Sequence, residues 1–96
     1  MPVRVREPRV IPVGITLRER PAEAMPVIRG HLASVVMWLR ENDYRVELHL
    51  EHGLLIHTDS GLVRADYGQY VTLSRGRVET WDRSELIGES DGLASA

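Results

Sequence analysis

Short turn-forming groups punctuate the second half of this chain at close intervals. Between residues 45 and 82, segments of alternating apolar and polar residues are separated by "EHG", "DSG", "YG" and "RG". Alternation with a period of two is typical of strands with one buried face, and the glycines suit the positive φ of tight turns. Strands joined by such short turns pair antiparallel. The second half therefore predicts about five antiparallel strands.

The last hairpin can be placed residue by residue. With Arg75 and Gly76 as its two central turn residues, the flanking residues pair as follows: Leu73 with Val78, Val71 with Thr80, and Tyr70 with Trp81. The aromatic pair then lies on the face opposite Val71 and Leu73. A cross-strand aromatic pair of this kind contributes about 0.2–1 kcal/mol to stability.

The first half predicts one strand and one helix. In "RVIPVGITL", Ile11, Val13, Ile15 and Leu17 share one face, and Pro12 favours an edge position because it cannot donate to a ladder. "RERPAEAMP" breaks the alternation and is interpreted as a loop leading into the helix.

The helix is expected from about Pro26 to Asn42, where the apolar period becomes 3.6, with regular geometry beginning near His31. Its core stripe consists of Met25, Ile28, Leu32, Val35, Val36 and Leu39. Trp38 falls in a second stripe beside this core face, and Met37 points away from it. Both side chains are therefore expected to face a partner or the N-terminal arm.

These segments predict an α+β fold, with one helix packed on a curved antiparallel sheet of about five to six strands in the order β-α-β-β-β-β-β. Residues 1–87 form a single domain, and residues 88–96, which are small and polar, are expected to be a disordered tail. A chain of 96 residues has a thin core, so self-association would help to stabilise it.

Composition narrows the classes of function. The chain has no Cys, which excludes disulfides and thiolate zinc sites, and its net charge of −2 disfavours a dedicated duplex-DNA binder. All its cationic residues other than His are Arg, a usage that we attribute mainly to a GC-rich genome. No apolar run approaches the ~20 residues of a membrane span, and the start lacks the apolar core of a signal peptide. We expect a cytoplasmic protein that does not contact a membrane.

A glycine-spaced pattern runs through the second half, with Ile56, Thr58, Gly61, Gly68, Val71 and Gly76 at its characteristic positions. At these positions the chain resembles a family of small accessory proteins of tailed bacteriophages and prophages. The "RVREPRVIPVGI" segment and the Trp38-Leu39 helix end resemble the N-terminal half of that family, so the likeness covers most of residues 3–87. The family's Pro-Gly-Asp-Trp turn is Tyr67-Gly68-Gln69-Tyr70 here, and its aromatic ending is reduced to Leu86 and Ile87. The resemblance implies a phage gene product acting in the host cytoplasm, and it implies no reaction.

Protein binding without catalysis is the preferred function from the sequence. Trp and Tyr dominate interface energetics, and Met37, Trp38, Tyr70 and Trp81 are expected outside the core. Their surface would be covered by a second copy in a homodimer, or by a host or phage protein. No nucleophile elbow, phosphate loop or facing carboxylate pair indicates an enzyme, and no cofactor is implied.

Two alternatives remain open. Arg64, Arg75 and Arg77 would share a sheet face with Tyr70 and Trp81, which is typical of proteins that bind nucleic acids or nucleotides.

The other alternative is a metal site on the "HLEHGLLIH" hairpin. There Glu47 is expected opposite His57, with His49 diagonal to it on the same face. Two imidazoles and a carboxylate are adequate zinc ligands, although an exposed hairpin more often carries solvated histidines.

Overall fold

Two antiparallel sheets and two helices make up the part of the chain that the computed structural model describes, residues 11–91. The α+β class is therefore confirmed, but the single sheet with one helix is not. In chain order the elements are β1 (Val13–Leu17), β2 (Arg20–Pro26), α1 (Leu32–Glu41), β3 (Arg45–His49), β4 (Gly53–Thr58), β5 (Gly61–Asp66), β6 (Gln69–Ser74), β7 (Arg77–Asp82), α2 (Arg83–Glu89) and β8 (Ser90–Asp91).

The larger sheet has the strand order β7-β6-β2-β1-β8, which places β2 at its centre. The interpretation of residues 18–26 as a loop is therefore wrong. Arg18 and Glu19 form a two-residue turn with φ of 50° and 64°, and the chain returns along β1. Pro21 lies before the region that pairs with β6, and Pro26 is the last strand residue, so both prolines are compatible with a central strand.

The smaller sheet has the order β3-β4-β5, and its strand β5 contacts β6 and β7 of the larger sheet. One apolar core joins the helix to both sheets. Its buried members are Met25, Val27, Leu32, Val35, Val36, Trp38, Leu39, Val46, Leu54, Ile56, Ala65, Val71 and Leu73. Because the helix packs against two sheets, a wider arc of its surface is buried than one sheet would cover.

A second apolar cluster covers the other face of the larger sheet. Its buried members are Ile15, Leu17, Ala22, Ala24 and Leu86, with Tyr70, Trp81 and Ile87 packed against them. Leu86 belongs to α2, which begins after Asp82; the backbone N–H of Asp82 donates to Glu85 Oε1 at 3.1 Å, half of a capping box. Both faces of the larger sheet are thus covered by apolar side chains.

Helix α1 is more deeply buried than predicted. It spans Leu32–Glu41, which confirms the expected regular start near His31, but residues 26–30 are not helical; Met25 is buried in β2, and Ile28 is 42% exposed. Trp38 is only 5% exposed, so its expected place outside the core is wrong. Its indole N–H donates to Glu23 of β2, the strand that was interpreted as a loop.

The ends of the chain also differ from expectation. Gly88 and Glu89 complete α2, and Ser90–Asp91 pair with β1, where a disordered tail was predicted. Ile11 and Val13 are exposed, although they share the alternation of buried Ile15. Residues 1–10, which include most of the Arg-rich first segment, and residues 92–96 of the predicted tail lie outside the described residues.

The predicted register of the β6–β7 hairpin is confirmed. Leu73, Val71 and Tyr70 have the expected partners Val78, Thr80 and Trp81. Leu48 of β3 and Leu50, which follows that strand, are both more than half exposed. No helix within residues 11–91 has the length and apolar character needed to cross a membrane.

Candidate functional site

Two hairpin turns lie at the same end of the larger sheet. One joins β1 to β2 through Arg18 and Glu19, and the other joins β6 to β7 through Arg75 and Gly76. Since β2 pairs antiparallel with β6, the start of β2 lies beside the end of β6. Residues that are far apart in sequence therefore meet at this end of the sheet.

Between the turns lies a cleft of about 560 Å³, here named the arginine cleft. Its lining within residues 11–91 includes Arg18, Arg20, Arg75 and Arg77, and one carboxylate, that of Glu79. The pairings Leu17–Arg20 and Ser74–Arg77 place these residues on the sheet face that α2 covers farther along the strands. The described lining therefore carries an excess of positive charge.

Arg18 is held in place within the cleft. Its two terminal nitrogens donate to the two carboxylate oxygens of Glu79, each at 3.3 Å, and its guanidinium lies 5.3 Å from the centre of the Trp81 ring. The Trp81 indole Nε1 in turn donates to Thr72 Oγ1 at 2.9 Å. Trp81, which was predicted to lie on this face, therefore forms a cation–π contact with Arg18 of the cleft.

The other three cleft arginines differ from Arg18 in their pairing. Within residues 11–91, the side chains of Arg20, Arg75 and Arg77 form no ion pair with a carboxylate. All three residues are exposed. Guanidinium groups of this kind bind phosphate with a planar pair of donors.

Backbone strain adds a second observation. Arg18 and Arg75 both have positive φ, at 50° and 37°, in turns where glycine or asparagine is the usual residue. A left-handed backbone costs a residue with a Cβ about 1 kcal/mol. Both strained arginines line the arginine cleft, so each turn places a guanidinium there at some cost in stability.

A smaller cavity of about 250 Å³ lies on the opposite side of the second turn, on the face of the sheet that α1 covers. It is here named the Tyr44 cavity. Tyr44, Asn42 and Glu23 line it, together with residues 73–76. Burial raises the pKa of the Tyr44 phenol, and the charge of Asp59 raises it further. The phenol is therefore a neutral hydrogen-bond donor at physiological pH.

The four residues predicted for a protein interface do not form one surface. Met37 is 53% exposed on α1, whereas Trp38 is buried in the core beneath it and donates its Nε1–H to Glu23. Tyr70 and Trp81 pair as predicted, but they lie across the sheet from α1 and are half-buried against the second cluster. The predicted aromatic surface is thus divided between the two faces of a sheet.

The arginines predicted for nucleic-acid binding are likewise separated. Arg75 and Arg77 line the arginine cleft, whereas Arg64 lies on β5 and donates its Nε–H to Asp66 at 2.7 Å. Arg64 is therefore outside the cleft, and its charge is already paired.

The predicted hairpin register for the histidine site is wrong by two residues. His57 lies opposite Arg45, not Glu47, because the turn holds Leu50, Glu51 and His52 before Gly53. His57 Nε2 still lies 3.0 Å from Glu47 Oε2 on the diagonal. His49 lies opposite Gly53, and residues 11–91 contain no group of three His, Cys, Asp or Glu side chains placed to hold a metal ion.

Arg18, Arg20 and Glu79 were not identified from the sequence. They were missed because β2 was interpreted as a loop, which left no turn to bring residues 18–20 beside residues 74–77. The available signal was the alternation of Pro21 to Pro26, in which Ala22 and Ala24 face one way and Glu23 and Met25 the other.

The fold and the cleft together define a small α+β protein with a basic site between two hairpin turns. Comparison with protein-family models, with curated proteins and with solved structures finds no match for this chain.

Proposed function

We propose that this chain is a non-catalytic binding protein whose arginine cleft receives the phosphate groups of a nucleic acid. The observation that carries this proposal is the meeting of four arginines from two separate turns around one carboxylate. The proposal follows the nucleic-acid alternative from the sequence analysis. Arg18 and Arg20 are added to its set of binding residues, and Arg64 is removed from it.

Local charge supports the proposal even though the whole chain is slightly acidic. Phosphate binding depends on the field at the contact surface, and three guanidinium groups that form no ion pair within residues 11–91 concentrate positive potential in the cleft. Arg18 contributes less, because Glu79 neutralises it.

The strained turns support the proposal in a different way. Arg18 and Arg75 occupy positions where asparagine would be accommodated more easily, and strain of this kind is concentrated at functional sites. A purely structural turn gains nothing from arginine, whereas a binding turn gains a guanidinium at the edge of the cleft.

The test is fluorescence anisotropy with a labelled single-stranded oligonucleotide, measured across a series of salt concentrations. We expect binding at low salt that weakens as salt rises, because bound phosphates release counterions. Arg20→Ala, Arg77→Ala and Arg75→Asn should each lower the affinity about fivefold and reduce the log–log salt slope by about 0.7.

The matched control is Arg64→Ala, which removes an exposed arginine outside the cleft and should leave the affinity unchanged. Arg75→Asn also separates binding from folding, since asparagine suits the positive φ and should leave the chain at least as stable. Absence of wild-type binding at low salt, or equal losses in Arg64→Ala and the cleft variants, would refute the proposal.

Protein binding, as a homodimer or to a host or phage protein, is the second candidate. The favouring observation is the exposure of large apolar side chains, Met37, Leu48, Leu50 and Leu62 among them. Light scattering on the wild type and on Met37→Glu tests the dimer: a mass that halves in the variant supports it, and a monomeric wild type excludes self-association.

The phage or prophage origin and action in the host cytoplasm, both implied by the resemblance, remain parts of this proposal. The histidine metal site has less support. Of the residues predicted for it, Glu47 and His57 are the pair for which the structure gives a hydrogen-bond contact.

A further inference from the structure

The Tyr44 cavity and the arginine cleft share one wall. Ser74 and Arg75 line both of them, so the turn formed by Arg75 and Gly76 is a ridge with a basic cleft on one side and a polar cavity on the other. A ligand with phosphates in the arginine cleft can therefore cross the turn and enter the second cavity.

The chemistry of the second cavity differs from that of the first. Glu23 receives one hydrogen bond, from the Trp38 indole at 3.3 Å, and its carboxylate retains free acceptor positions. Asn42 uses its amide nitrogen to donate to the Trp38 carbonyl at 2.8 Å, which leaves its carbonyl oxygen as an acceptor. Tyr44 adds a neutral phenol. Glu23 and Asn42 therefore offer acceptors at one side of the cavity, beside the phenol and ring of Tyr44, while Ser74 and Arg75 supply donors at the wall shared with the arginine cleft.

A group that fits this cavity carries several N–H donors on a flat, uncharged ring. Phosphate is disfavoured by the Glu23 carboxylate. A nucleobase with an amino group satisfies both conditions, and guanine satisfies them best because its adjacent imino and amino donors match a carboxylate. Thymine and uracil offer one ring N–H and two carbonyl oxygens, which face acceptors unfavourably.

We propose that the Tyr44 cavity is a base-recognition subsite for single-stranded nucleic acid, selective for guanine over thymine. This inference rests on the proposed function and deepens it: the arginine cleft holds the backbone, and Glu23, Asn42 and Tyr44 read a base. A single strand is the partner because its bases can be turned away from one another to enter a cavity, whereas those of a duplex are stacked and paired.

The test compares three labelled oligonucleotides that differ at one central position in a thymine background: guanine, thymine or an abasic spacer. In the wild type we expect the guanine oligonucleotide to bind about tenfold more tightly than the thymine one, the order of discrimination from a bidentate base contact. Guanosine monophosphate as competitor separates a free nucleotide from a strand: displacement at equal concentration would assign the site to the nucleotide.

The variants separate the two sites. Glu23→Gln keeps an oxygen acceptor for the Trp38 indole, so the fold is preserved, and it should remove most of the preference for guanine. Tyr44→Phe should reduce the preference for guanine. Arg20→Ala should lower the affinity for all three oligonucleotides equally and leave the preference for guanine unchanged. Equal affinities for the three oligonucleotides in the wild type would overturn the base subsite and leave the arginine cleft standing. No binding of any oligonucleotide would overturn both.

Discussion

The indole of Trp38 donates its Nε1–H to Glu23 Oε1 across 3.3 Å, joining the buried side of α1 to the middle of β2. This bond links a helix that the sequence predicts to a strand that it does not. It also places the one polar atom of a core tryptophan against a carboxylate that lines the Tyr44 cavity. A hydrogen bond therefore links the core to the candidate base subsite.

Trp38→Ala should lower the free energy of unfolding by about 3–5 kcal/mol, since it leaves a cavity in the main core. Chemical denaturation measures this change. Met37→Ala, at the exposed neighbouring position, is the control and should cost less than about 0.5 kcal/mol. Similar losses in the two variants would contradict the buried position of Trp38.

Gly53→Ala should destabilise the fold by more than about 1 kcal/mol. Gly53 has a φ of 133°, and a Cβ added there would collide with the backbone carbonyl of Ala65 in the neighbouring strand. Gly14→Ala is the matched control, because Gly14 has open space around it and no positive φ. Thermal unfolding of both variants distinguishes the two positions; a neutral Gly53→Ala would argue against the β4–β5 pairing.

Glu79→Gln should increase the affinity of the arginine cleft for oligonucleotides severalfold. The substitution removes the carboxylate that neutralises Arg18 and lets a fourth guanidinium act on the ligand. Stability should change by less than about 1 kcal/mol, as the pair is partly exposed to solvent. Anisotropy titration reports the affinity, with Glu47→Gln as a control outside the cleft; unchanged or weaker binding would show that Glu79 does not oppose the ligand.

The raised pKa of the Tyr44 phenol leads us to expect a lower free energy of unfolding at high pH. Burial, and secondly Asp59, raise the pKa of its phenol above the ordinary value of 10.0. A group whose pKa is higher in the folded state than in the unfolded state adds to the free energy of unfolding. This contribution is fully present below the unfolded-state pKa and is lost as the pH rises through the folded-state pKa. The unfolding free energy should therefore fall above about pH 10, and by less in Tyr44→Phe. Denaturation at several alkaline pH values measures it, and identical profiles for the two proteins would refute the assignment.

The β6–β7 hairpin could be predicted in register because its information is local. A two-residue turn at Arg75 and Gly76 fixes every pairing on either side of it. The β1–β2 hairpin has the same kind of turn, but its two turn residues, Arg18 and Glu19, are neither glycine nor asparagine. Positive φ at two ordinary residues is not marked in the sequence, so the turn was missed, although the alternation of β2 itself was available.

The candidate site was only half predictable for the same reason. Arg75 and Arg77 were identified from their own hairpin, whereas Arg18 and Arg20 depend on the pairing of β2 with β6. The burial of Trp38 likewise involves β2, because its indole N–H donates to Glu23 of that strand, which was interpreted as a loop. The composition of the arginine cleft and the burial of Trp38 both depend on pairing between distant strands. The periodicity within one segment does not predict such pairing.

The central position of β2 sets the order in which this chain acquires its structure during synthesis. Strand β2 needs β6 as a neighbour, and the whole smaller sheet is made between them. The strands of the β3-β4-β5 meander are consecutive in sequence, whereas β2 is synthesised before β6 and its edge toward β6 has no partner strand until residue 69 follows. Closing that long loop should be the slow step of folding, and a nascent chain that pauses before residue 69 exposes the edge of β2 to other strands.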